Sequence, residues 1–249
     1  MAIIKGIIMN KLLILLILLV SVVSISFSQS INRHPFYRPT VVSVGGGSVQ
    51  FDASTSNSDN SVTTLTTSFT ISSSLTNSLL VVDVGGNTIS GYWYVTSVTW
   101  NGSSLTRLDS TSRTGDARKR CERWYLLLPA TGTHDVIVNV SASMNLRVGM
   151  SSWASANQST TFSTMYRADG YGTTPTATAA ATSGDVVIDE MWDGTTSATT
   201  AGGQTQLYNT APSAYVFAGS YKNGAASVTM SWTISAEDWV IMAHAIKKL

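Results

Sequence analysis

Residues 219–247 read GSYKNGAASVTMSWTISAEDWVIMAHAIK, and this stretch decides the fold class. Val228, Met230, Trp232 and Ile234 alternate with Thr229, Ser231 and Thr233. A period of two with one apolar and one hydroxyl-bearing face marks a strand laid over a core, not a helix. Asn223-Gly224 stands just before it, between the β-rich runs 214–222 and 225–234. Asn-Gly accepts the positive φ angles of a type I′ turn, so it predicts a hairpin there. Over 236–248 both parities are apolar. Asp238 and Trp239 offer a helix start, but the run reads better as a closing strand covered on both faces.

The same grammar extends upstream. Asn101-Gly102 predicts a second hairpin between 95–100 and 103–108, and 134–142 alternates with Val136, Val138, Val140 and Ala142 on one face. Further strands are expected at 63–71, 78–84, 88–95, 120–128, 146–153, 176–182, 184–192, 204–208 and 214–222. Helix-period stripes are absent almost throughout, and 53–61, ASTSNSDNS, reads as a polar loop. The expectation is an all-β chain: a two-sheet antiparallel β-sandwich, jelly-roll-like, forming a single domain over 49–249.

Residues 1–28 read as a secretory signal peptide. Lys5 and Lys11 precede the apolar run 12–20, and Ser26 and Ser28 supply small residues before Gln29. Either Met1 or Met9 serves as the start. The alternative is an uncleaved anchor, which would be the only contact with a membrane. Residues 29–48, with Pro35, Pro39 and three consecutive glycines, read as an irregular lead-in. Export to the periplasm, cell surface or medium is expected. Loss of Lys5 and Lys11 brings 15 basic residues down to 13, against 14 acidic ones. Such neutrality argues against nucleic acid as a partner. One cysteine, Cys121, excludes an internal disulfide framework.

The segments TSFTI (67–71), NSLLVVDV (77–84), VTSVTWNGSSLT (95–106), CERWYLLLPATGTHDVIVNVS (121–141), GDVVIDEM (184–191) and GQTQLY (203–208), with 219–247, form a series. That series resembles a recurring bacterial secreted jelly-roll β-sandwich module of unassigned activity, and the leader is similar to those of the Bacteroidetes. The resemblance implies fold and location and carries no catalytic residues.

Candidate chemistry is sparse. His34, His134 and His244 are the only histidines, no Gly-x-Ser-x-Gly elbow occurs, and Cys121 precedes an apolar strand, so no catalytic residues are assigned. In 184–194, GDVVIDEMWDG, Asp185 and Asp189 share a strand face about 13 Å apart, too far for a glycosidase pair. Asp189, Glu190 and Asp193 are the candidates for calcium; no other cofactor is expected. Arg113, Arg118, Lys119, Arg120 and Arg123 form the one basic cluster. They are read either as a patch for an anionic partner or as a solvated hairpin loop projecting into water. Tyr92, Trp93, Tyr94, Tyr166, Tyr171 and Trp192 are the candidates for stacking on sugar rings. The reading is a secreted or cell-surface non-catalytic module for adhesion or extracellular assembly. Its alternatives are a carbohydrate-binding module and, more distantly, a glycoside-active enzyme. The partner expected is an extracellular glycan or another surface protein.

Overall fold

The computed structural model describes residues 47–88, 91–212 and 215–249, all within one unit. The expected signal peptide and nearly all of the lead-in lie outside the described residues. Fifteen strands follow in order: β1 Gln50–Ile71, β2 Leu79–Asn87, β3 Val95–Trp100, β4 Ser103–Ser104, β5 Thr106–Arg113, β6 Asp116–Leu127, β7 Gly132–Ala154, β8 Tyr166–Gly172, β9 Thr176–Ala179, β10 Val186–Asp193, β11 Ala198–Thr200, β12 Thr205–Thr210, β13 Val216–Asn223, β14 Val228–Ile234 and β15 Glu237–Ile246. All pair antiparallel, and no helix occurs among the described residues.

Three sheets result. A seven-stranded sheet runs β4-β3-β7-β2-β6-β5 with β1 on β7, a five-stranded sheet runs β12-β13-β10-β15-β8, and a three-stranded sheet runs β11-β14-β9. β7 pairs β3 through its first half, β2 through its second, and β1 along almost all of its length. Val136, Val138 and Val140 from its first half meet Leu146, Val148 and Met150 from its second in one core, so the large sheet bends around that core. A second core lies between this sheet and the five-stranded one, where Leu79, Val81 and Trp153 meet Ile188, Trp192, Phe217 and Met242. A third lies between the five- and three-stranded sheets, where Met191, Ile241 and Ala243 meet Met230, Trp232 and Ile234.

Strands shared by two cores carry apolar residues on both parities. β2 sends Leu80, Val82 and Val84 one way and Leu79 and Val81 the other, and β10 and β15 do the same. Within the closing run 236–248, Glu237–Ile246 is accordingly a strand, and β14 keeps the expected alternation. The Asn101-Gly102 hairpin is present: Trp100 faces Ser103, with φ of 46° and 79° at the two turn residues.

Three expectations are corrected. The described strands form three sheets where two were expected, because Asn223-Gly224 is not a hairpin. β13 pairs β10 and β12 while β14 pairs β9 and β11, so the chain changes sheet there. Gly224 donates its N–H to Asp185 O at 2.8 Å, and a side chain there would overlap the Thr182 carbonyl; the glycine serves close packing. The polar stretch 53–61 is strand, paired with β7 from Ala53↔Ser152 to Asp59↔Leu146, and Ser54 donates to Leu207 O at 2.8 Å. It runs beside the edge strand β12, where hydroxyls serve and an apolar run is not required. Of 88–95, only Val95 is in a strand among the described residues.

Candidate functional site

The most perturbed ionisable groups sit in the second core. Strand parity aims Asp83 of β2, Arg123 of β6, Glu190 of β10, Tyr208 of β12 and His244 of β15 into the space between the two larger sheets. All five are buried. Arg123 Nε donates to Asp83 Oδ1 at 2.6 Å and Nη2 to Oδ2 at 3.2 Å, while the Tyr208 hydroxyl donates to Oδ2 at 2.8 Å. Arg123 Nη1 reaches His244 Nδ1 at 3.1 Å. A guanidinium only donates, so Nδ1 accepts and the histidine proton resides on Nε2, which faces Asp109 Oδ2 at 3.5 Å. Burial holds the His244 pKa below its ordinary value, and the bond from His244 holds the half-exposed Asp109 below its own.

Glu190 differs from Asp83. Its Oε1 lies 3.7 Å from Arg123 Nε, and neither carboxylate oxygen has a hydrogen-bond partner among the described residues. Burial, reinforced by Asp83, pushes its pKa well above the carboxylate range. A buried charge must be paired and hydrogen-bonded. Asp83 meets that condition opposite Arg123; Glu190 does not and holds its proton. Tyr208 is seated by two glycines: a methyl on Gly149 or on Gly219 would overlap its ring. Burial also raises the Cys121 thiol well above its usual value, which makes it inert. With Arg123 Nη1 also donating to Ile188 O of β10 at 3.4 Å, the cluster joins five strands of two sheets through buried hydrogen bonds. That arrangement ties sheets together; it does not present an acid and a base to a substrate.

The basic cluster is drawn into ion pairs, which corrects the solvated-loop expectation. β5 and β6 form a tight hairpin with Arg113 opposite Asp116. Arg113 bonds Asp169 of β8 at 2.8 Å and Asp238 of β15 at 3.2 Å; Lys119 bonds Asp238 at 2.6 Å and lies 5.7 Å from the Trp192 ring centroid. Arg118 forks onto Asp116 at 2.8 and 2.9 Å, and Arg120 bonds the buried Glu122 at 2.9 Å. Only the Arg118 side chain, at 47% exposure, is open to a large degree, and Arg123 is wholly interior.

The aromatic candidates divide. Trp93 and Trp192 are buried: the Trp93 indole donates to Arg118 O at 2.7 Å, and Trp192 stacks on Tyr215. Tyr166 is half-buried, while Tyr92, Tyr94 and Tyr171 are exposed at 80, 54 and 69%. Tyr92 and Tyr94 flank the anchoring Trp93, and Tyr94 is fixed by the Ser141 N–H donating to its carbonyl at 2.9 Å and by its own N–H donating to Ser141 Oγ at 3.1 Å.

The calcium candidates are not brought together. Asp189 and Asp193 share the parity of Met191 and the third core, whereas Glu190 faces Arg123. Asp189 accepts from Ser220 N and Oγ and from Trp232 Nε1, each at 2.7 Å, and Asp193 accepts from Thr195. Burial raises both to about 6. No group of three His, Cys, Asp or Glu side chains suited to a metal occurs among the described residues.

Sequence reasoning missed Asp83, Tyr208, His244 and Asp109 as members of one cluster. A signal existed for two of them: Asp83 and His244 each interrupt an apolar run that is covered on both faces. No family model, curated protein or solved structure matches the chain.

Proposed function

We propose that this chain is an exported, non-catalytic β-sandwich module, jelly-roll-like in winding, that acts in adhesion or extracellular assembly. The observation that carries the reading is a contrast in where reactive and sticky groups lie. The most strongly perturbed ionisable groups are interior and hydrogen-bonded or neutral, while Tyr92 and Tyr94 are displayed on a segment anchored from beneath by Trp93. Rigid aromatics supply contact area at low entropic cost, which suits a binding surface.

The experiment is retention of the native protein on its own cells, compared with the Tyr92→Ser, Tyr94→Ser double variant. Both should be exported and folded, and the variant should be shed into the medium. Equal retention removes the tyrosines from the contact. Turnover of a polysaccharide by the purified protein overturns the non-catalytic reading. Glycan binding is the second reading, favoured by the third exposed ring, Tyr171. It requires a glycan-array signal that the double variant loses.

A further inference from the structure

We propose that a groove beside the end of β15 is a binding site for a carboxylate-bearing sugar, separate from the tyrosine display. The groove has a volume of about 500 Å³, within the range of ligand sites. One wall is the segment 160–166, held to β15 by Ser163 N–H on Ala245 O at 2.9 Å and by Lys247 N–H on Thr161 O at 2.8 Å. The opposite wall is 180–182, held by Ala181 N–H on Ala225 O at 3.0 Å. Both walls are therefore formed before any ligand arrives.

The lining combines three chemistries. Phe162 and Tyr166 bring rings to the wall; the far side of Phe162 is packed against Tyr125 and His244, which holds it in place. The hydroxyls of Thr160, Thr164 and Tyr166 have no hydrogen-bond partner among the described residues. Lys247 contributes an ammonium with no carboxylate within ion-pair distance among the described residues. Asp185 also lines the groove, but its Oδ2 accepts from Thr182 N and Oγ1 at 2.8 Å and its Oδ1 from Lys248 N at 3.0 Å. The Asp185 oxygens are thus committed to Thr182 and the Lys248 N–H; Lys247 acts on that carboxylate only through space, without a direct ion pair, and keeps its N–H donors for a ligand. Ring faces match the C–H face of a sugar, unspent hydroxyls match its hydroxyls, and a free ammonium matches a carboxylate. An open groove admits a chain of such sugars, so the occupant we assign is a uronate end or segment of an acidic polysaccharide.

The test is calorimetric titration of the full protein with a galacturonate trimer and with its neutral galactose counterpart. The acidic trimer should bind, with affinity falling as salt rises, and the neutral one should bind about ten-fold more weakly, as expected for loss of a charge-assisted contact. Lys247→Gln should reduce binding of the acidic trimer about ten-fold, and Thr164→Val by less. Arg118→Ser, on the β5–β6 hairpin, should leave it unchanged. Circular dichroism checks that each variant is folded; these side chains lie at the surface of the groove. No binding of the acidic trimer, equal binding of both trimers, or undiminished binding by folded Lys247→Gln overturns the proposal.

Discussion

Arg123 with Asp83 and Lys119 with Asp238 are ion pairs of the same length, 2.6 Å, in opposite surroundings. The first lies between two sheets with both partners almost wholly buried; the second sits at the β5–β6 hairpin, where both partners remain about a fifth or more exposed. Distance alone would rank them equal. Surroundings do not. At the hairpin water still solvates each ion, and three carboxylates (Asp116, Asp169 and Asp238) share the cations. In the interior one guanidinium clasps one carboxylate, and the neighbouring Glu190 gives up its charge. A crowd of charged residue types is a network of ions at the edge of the fold and a neutralised cluster in its centre.

The largest effect should come from breaking the interior pair. Asp83→Ala leaves the Arg123 charge buried without its carboxylate and should cost about 3–5 kcal/mol in urea unfolding. Asp169→Ala at the hairpin should cost about 1 kcal/mol or less, since Arg113 keeps Asp238 and water. Equal losses for the two substitutions would break the comparison.

Glu190 sharpens it in the opposite direction, because here removal of an ionisable group should stabilise. Its folded pKa is raised above 4.5, so the folded chain holds a proton that the unfolded chain releases. Stability from this site is complete below about pH 4.5 and is lost as pH rises toward the folded value. Asp189 and Asp193 act in the same sense between 3.8 and about 6. His244 acts oppositely: its value is lowered from 6.5, so its contribution is present above that pH and is lost as pH falls toward the folded value. Glu190→Gln replaces a neutral acid by a neutral amide. It should raise stability at neutral pH by about 1–3 kcal/mol, a gain that fades below about pH 4.5. Urea midpoints of the two proteins across pH 4–8 measure this, and a gain that persists unchanged at pH 4 would show that Glu190 is ionised in the fold.

Much of the fold was legible because period-two patterning reports burial directly. β14 and the first half of β7 alternate as read, and Asn101-Gly102 turns as its chemistry requires. Two features were not legible. Asn223-Gly224 has the composition of a hairpin, but sheet partners are chosen by non-local packing: β13 finds β10, and the glycine is needed where the chain passes Thr182 and Asp185. The stretch 53–61 has a loop's composition, yet β7 continues as a template beside it and recruits it as strand. The buried cluster is harder still, because its members are separated by up to 161 residues, from Asp83 to His244. Strand parity places each one on a face. Which faces then meet depends on the packing of the sheets, and that is absent from any local window.

The smallest effects belong to neighbouring cations of the hairpin, and they separate two kinds of surface pair. Arg118 is about half exposed, and its carboxylate partner, Asp116, lies two residues away on the same strand. Removing it breaks no link between strands, so Arg118→Ser should leave the melting temperature unchanged within about 1 °C. Lys119 lies on the opposite parity, joins β6 to β15 through Asp238 and lies over Trp192. Lys119→Ser removes a link between sheets and a cation over an aromatic ring, each only partly desolvated, so its cost should be about 0.5–1 kcal/mol. For a domain of this size that lowers melting by about 1–4 °C. The ion-pair part should shrink at high salt, because screening reaches this half-open site and does not reach Arg123. Identical melting shifts for Arg118→Ser and Lys119→Ser would mean that strand parity has no energetic consequence at the hairpin. The contrast would then lie only between the core and everything outside it.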